Sequence, residues 1–226
     1  MSYLIVVAHP DDEVLGAGAT LAKLSAKGIE TNVCILSVNA DARNYRPELE
    51  ELDKNIEATR QVLGIKKIYK GNFPNIKLNT VSHLELVQFI EAAILDCGAD
   101  VLITHDPSDL NNDHLQTSLA CQAAARLFQR MPHIKPLKEL MFMEVPSSTE
   151  WSLNTGGKFT PNLFIEVGEE YIDKKIEALK HYIGVMRDYP HPRSEAFIKA
   201  QAVYRGGQSG IAYAEAFNVV FRRIVE

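Results

Sequence analysis

Leu4-Ile5-Val6-Val7-Ala8-His9-Pro10-Asp11-Asp12-Glu13 is the stretch that decides the fold. Five apolar residues read as a buried strand, and they stop at one imidazole and three carboxylates. An amphipathic segment follows, from Val14 through Leu21 to Leu24. A parallel strand in an open α/β sheet delivers its carboxyl end to the ligand crevice, so polar residues concentrated there point to a site. Helix capping needs only one of these acids, with a second favoured by the helix dipole, and it does not explain the histidine. Pro10 fixes its own φ and keeps His9 extended, which lets Asp12, three residues on, come round beside it. A nitrogen and an oxygen ligand on one centre suit a zinc-type metal.

A second junction of the same kind lies near mid-chain. Ala99-Asp100-Val101-Leu102-Ile103-Thr104 reads as another buried strand, ending at His105-Asp106-Pro107-Ser108-Asp109-Leu110-Asn111-Asn112-Asp113-His114. A lone His at a helix start is ordinarily a cap or a surface residue. After a second strand end, however, His114 faces the crevice that His9 and Asp12 face. Three protein ligands with an open position are the pattern of a catalytic zinc. Cys34, Cys97 and Cys121 stand alone in apolar surroundings and read as core residues.

Around these junctions, strands alternate with helices. Strand patterns cover 3–8, 30–37, 67–69, 100–104 and 139–144, and helical patterns cover 12–27, 49–63, 82–97, 113–130 and 169–186. That alternation predicts a Rossmann-like α/β fold, with a mostly parallel sheet, helices on both faces and the metal site at the carboxyl ends of the strands. The intervals 38–48, 146–161 and 188–193 are expected to rim the crevice. Residues 217–224 are a strand or a short helix, which periodicity does not decide. Gly16 and Gly18 fall inside the first helix, where close packing on the sheet explains them better than a dinucleotide loop.

Composition fits one domain over residues 1–226: 46% hydrophobic, 23% charged and net charge −5. That acidity, without a basic cluster, argues against nucleic acid or anionic membrane as partner. No apolar run is long enough to span a bilayer. Met1-Ser2-Tyr3 leads straight into the first strand, so no signal peptide is expected, and three isolated cysteines suit a reducing cytoplasm.

"VVAHPDDEVLGAGATLAKL" (Val6–Leu24), "THDPSDLNNDH" (Thr104–His114) and "YPHPRSEAFIKAQAVYRGGQSGIAYAEAF" (Tyr189–Phe217) together resemble the LmbE-like, or PIG-L-type, zinc-dependent N-deacetylases. The third segment resembles their bacterial sugar-deacetylase branch. The resemblance runs from Leu4 to about Phe221. It implies a hydrolase that removes the N-acetyl group from an acetamido sugar, or from a glycoconjugate or nucleotide carrying one. It makes His9, Asp12 and His114 the ligands of one zinc per chain, and Asp11 the general base beside the zinc-bound water. A base that does not bind the metal can take the water proton and return it to the leaving amine. Two His and one carboxylate also describe non-haem iron sites, so another divalent transition metal stays open. Homo-oligomeric assembly is a further expectation.

The chain departs from the family pattern at Asn111, where many relatives carry a second histidine. An amide donates a hydrogen bond to an oxyanion but supplies neither charge nor proton. Asn111 is therefore a catalytic candidate, and His191 or His105 is a candidate for the missing part. Arg193 and Arg205, with Arg46 and Arg43, suit an anionic group on the substrate, although salt bridges account for them equally well. Trp151 is either a sugar-stacking platform or a packing anchor. Two other functions are weighed against deacetylation. A metal-dependent phosphoryl hydrolase would use the paired Asp residues but leaves His9 and His114 unexplained. A silent sugar-binding module has no use for Asp11.

Overall fold

A computed structural model describes residues 1–40, 45–153 and 157–224. Its centre is β1 (Ser2–Val7), an uninterrupted apolar strand with parallel neighbours on both sides, β2 (Glu30–Ile35) and β4 (Val101–His105). Successive side chains of a strand point to opposite faces. Accordingly Ile5 and Val7 join a core with α1 (Asp12–Ala26), α2 (Leu49–Leu63) and α6 (Glu169–His181). Leu4, Val6 and Ala8 join a second core with α3 (His83–Cys97) and α4 (Asn112–Ala124). Each fully buried Val, Leu or Ile side chain among them contributes about 1.5–3 kcal/mol. Burial on both faces is why β1 reads as a continuous hydrophobic run and not as an alternation.

The sheet has seven strands in the order β3-β2-β1-β4-β5-β7-β6, with β3 at Lys67–Lys70, β5 at Glu139–Met143, β6 at Leu163–Glu166 and β7 at Ala214–Arg222. Pairing from β3 through β5 is parallel, and β7 runs antiparallel between β5 and β6. The chain leaves β1 toward β2 on one side and returns at β4 on the other. The carboxyl ends of β1 and β4 thus form the topological switch point where such sheets bind ligands.

Several elements differ from the sequence reading. Residues 217–224 fall largely in strand β7. The helix expected over 113–130 is split into α4 and the short α5 (Leu127–Arg130). The helix expected to reach Met186 stops at His181, before a left-handed Gly184. The segment after Ser194, for which periodicity marked no helix, forms α7 (Glu195–Ser209), capped by the Ser194 hydroxyl accepting from Phe197 N. Gly206 within it lies against the carbonyls of Ile211 and Ala212, where a β-carbon would not fit.

Helix α1 is broken at Ala17, whose φ of −142° is not helical. A β-carbon at Gly16 would overlap Met143 of β5, so the first turn lies directly on the sheet. A buried ion pair closes the break. Lys175 Nζ donates to the freed Leu15 carbonyl at 2.8 Å and to Glu215 Oε1 at 2.7 Å. The Glu215 carboxylate in turn accepts from Ala19 N at 3.1 Å and Thr20 N at 2.7 Å. Glu215→Ala leaves one buried ammonium and two amides without their acceptor. It is expected to cost about 3–5 kcal/mol of stability, read as a lowered urea midpoint; an unchanged midpoint would refute this role for the pair.

Candidate metal centre

His9 leaves the end of β1, Asp12 opens α1 and His114 lies in the first turn of α4. One ligand atom from each, all buried, lies within 4.8 Å of the others, the one such group that could hold a metal among the described residues. Asp12 Oδ2 is the hub: it lies 3.3 Å from His9 Nδ1 and 3.2 Å from His114 Nε2, and it accepts from His9 N at 3.0 Å. The outward nitrogens are held by two further acids. His9 Nε2 meets Asp113 Oδ2 at 3.1 Å, and His114 Nδ1 meets Asp109 Oδ1 at 3.1 Å. Asp113 is itself fixed by Leu78 N at 3.0 Å, and Asp109 by the hydroxyls of Ser148 and Thr149 at 2.8 and 2.6 Å. A carboxylate behind each imidazole sets its tautomer and aims the other nitrogen at the metal.

The donor set fits a divalent cation on two grounds. His114 Nε2 is buried yet has no hydrogen-bond partner, an orphan that a metal would satisfy. Nitrogen, oxygen and nitrogen donors are those of borderline transition metals. Burial works against the charge on His114, but Asp12 and Asp109 outweigh it and push the imidazole up to about 10. Burial opposes the charge on His9 in the same way, and Asp113 and Asp12 raise it. His105 goes the other way, down to about 3, through burial and then the neighbouring His114 charge. It stacks on His114 with centroids 3.8 Å apart and accepts from Ala8 N at 2.9 Å, a neutral plate behind the ligand.

His9, Asp12 and His114 line a cavity of about 330 Å³ together with Asp11, Asn39, Asn75, Ile76, Asn111, Ser147, Ser148, Gly184, Arg187 and Arg193. Each interval expected to rim the crevice contributes a residue: Asn39, Ser147 and Ser148, and Arg193. The three non-glycine residues with positive φ among the described residues, Asp11 (106°), Ile76 (55°) and Ser147 (79°), all line it. Left-handed backbone costs a β-branched residue most, and such strain collects at functional sites.

Of the remaining candidates, Asp11 lies on the cavity wall, with Arg193 Nη1 3.3 Å from its Oδ2. Arg193 Nε also donates to Ser147 Oγ at 2.7 Å. Asn111 lines the cavity while its side-chain oxygen caps α4, accepting from Asp113 N at 2.9 Å. His191 does not line the cavity; its Nδ1 accepts from Arg193 N at 3.0 Å and so shapes the arginine turn. Arg205 does not line it either, because Glu144 holds its guanidinium at 2.7 and 2.6 Å. Arg46 is not among the lining residues, nor is the exposed Trp151, and Arg43 lies outside the described residues. The sequence reading assigned nothing to Asp109 or Asp113. The excess of acids in the second motif was the available signal, since each ligating His calls for an acceptor behind it.

Comparison with known proteins agrees with this architecture. Residues 4–125, more than half of the chain, match the PIG-L family, described as GlcNAc-PI de-N-acetylase. The chain belongs to that family. It is 28% identical over 192 residues to the uncharacterized deacetylase YaiS of Escherichia coli K12, covering 79% of this chain and 89% of that protein. It is 23% identical over 229 residues to diacetylchitobiose deacetylase of Thermococcus kodakarensis, covering 96% and 82%. Among solved structures, the conserved protein TT1542 of Thermus thermophilus superposes with a TM-score of 0.79 at 25% identity, covering 100% and 98%. GalB, a 4-carboxy-2-hydroxymuconate hydratase of Pseudomonas putida, shares the fold at a TM-score of 0.76 and 20% identity, covering 100% and 99%. The fold alone therefore does not select the reaction.

His114 must lose a proton before it can bind metal. Because the acids beside His114 push its imidazole up to about 10 and those beside His9 raise it too, metal uptake at about pH 8 is expected to release protons, with affinity rising as pH rises. Calorimetry in two buffers of different ionisation heat reads their number. Metal binding at this pH without proton release would contradict a raised His114 pKa.

Proposed function

We propose that the protein is a zinc-dependent hydrolase that removes the acetyl group from an acetamido sugar or a conjugate carrying one. The observation that supports it best is the pairing of a His9/Asp12/His114 donor set with a neighbouring carboxylate, Asp11, that is not part of that set. The printed activity of the Thermococcus relative, diacetylchitobiose deacetylation, is of the same class.

The mechanism follows from what each residue can reach. A bound divalent ion supplies Lewis-acid polarisation of the amide carbonyl and eases ionisation of water to a pKa of about 7. Asp11 accepts the proton as water oxygen bonds to the acyl carbon. When the carbon–nitrogen bond breaks, Asp11 passes that proton to the leaving amine, so the products are acetate and a free amino sugar. Asn111, with its oxygen engaged at the helix cap, offers its amide NH₂ to the developing oxyanion, a contact of about 3 kcal/mol where geometry is good. Arg193 sits beside Asp11, its Nη1 3.3 Å from the carboxylate, and orients that group. It also faces the cavity, where it binds the part of the substrate beyond the acetamide.

Asp11→Asn should lower kcat by several orders of magnitude while metal content is retained, since only the base is lost. Acetate release and elemental analysis on the same preparation read both quantities; near-normal turnover would refute the mechanism. Arg193→Ala should harm an extended substrate such as N,N'-diacetylchitobiose more than N-acetylglucosamine, because remote contacts act on the reacting centre. Equal loss in kcat/KM on the two would remove Arg193 from substrate binding. A panel of free, lipid-linked and nucleotide-linked acetamido sugars, scored by free amine, identifies the natural substrate class.

A further inference from the structure

Asp11 has φ 106° and ψ −29°, outside every basin that a non-glycine residue readily adopts. Such a conformation is strained and persists only where the surroundings over-determine it. The Asp11 carbonyl accepts from Val14 N at 3.1 Å and Leu15 N at 2.9 Å, which starts α1. Its N–H donates to Glu13 Oε2 at 3.1 Å, and the other oxygen of Glu13 accepts from Tyr182 Oη at 2.6 Å. Glu13 is 0% exposed and Tyr182 1%. Neither belongs to the donor set or lines the cavity. Burying a carboxylate is costly, and here neither metal nor substrate contact explains it. What the carboxylate does touch is the amide of the strained residue.

We infer that Glu13 and Tyr182 are positioning residues that clamp Asp11 in its left-handed turn, so that its carboxylate faces the cavity while that of Asp12, one residue on, faces His9 and His114. The inference rests on the reading of Asp11 as the base. In an ordinary helical start, Asp11 would lose the orientation that separates base from ligand. Tyr182 directly follows α6 and precedes Gly184 and Arg187, both on the cavity wall. The clamp therefore also ties the base to the opposite side of the site.

The test compares Tyr182→Phe, Glu13→Ala, Glu13→Gln and Asp11→Asn in metal-loaded protein, with N-acetylglucosamine and N,N'-diacetylchitobiose as probes. Tyr182→Phe and Glu13→Ala should each lose about 10- to 100-fold in kcat, with KM and metal content held. Glu13→Gln should recover most of that loss. Its carbonyl can accept from Asp11 N, and its NH₂ can donate to Tyr182 Oη. Folded, metal-loaded Tyr182→Phe with wild-type kcat overturns the inference, and should Glu13→Ala not fold, this variant decides alone. Loss of metal in step with kcat also overturns it, because the residues would then serve the fold and not the base. If Asp11→Asn is inactive, a failed clamp leaves the base intact as an assignment; if Asp11→Asn turns over normally, the base reading itself has failed.

Discussion

A single carboxylate oxygen, Asp12 Oδ2, lies within 3.7 Å of three imidazoles, those of His9, His114 and His105. In an apolar interior such a cluster is tolerated only because each ring has a further commitment: Asp113 behind His9, Asp109 behind His114 and the Ala8 amide on His105. Burial disfavours the ionised Asp12, and the neighbouring His114 charge together with the His9 contact reverses that, holding the carboxyl well below its ordinary range. The result is an anionic hub within reach of two aimed nitrogens, an arrangement suited to a cation.

The fold exists around that hub in a literal sense. β1 and β4 are adjacent and parallel, so the turns that follow them open on the same edge of the sheet. The break in α1 then lets the acidic first turn sit on β5 while the rest of the helix packs elsewhere, with Lys175 and Glu215 filling the interrupted ladder. Asp109 adds a link of a different kind. One carboxylate orients His114 and accepts from Ser148 and Thr149, so it ties the wall containing Ser147 and Ser148 to that imidazole.

Much of this was legible because it rested on local pattern. The apolar run of β1, the His9 to Asp12 spacing and the strand end before His114 are all short-range features whose structural meaning is nearly forced. The helix break was not legible, since Glu215 lies 196 residues from Ala19 and no periodicity connects them. Helix α7 was hidden by its own glycines, of which Gly206 marks a close approach and not a loop. Arg205 was open between an anion contact and a salt bridge because a lone arginine carries no sign of its partner, and the structure pairs it with Glu144. The acids behind the imidazoles stood in plain view in the second motif, but only the fold assigns each to its ring.

The proposed hydrolysis stands or falls on the metal being required. Protein stripped of metal by chelation, then dialysed and assayed for acetate release from N-acetylglucosamine and N,N'-diacetylchitobiose, is expected to be inactive. Activity should return in proportion to added zinc or another divalent transition metal, reaching its plateau at about one ion per chain. Undiminished turnover in protein whose metal content is below detection would contradict it.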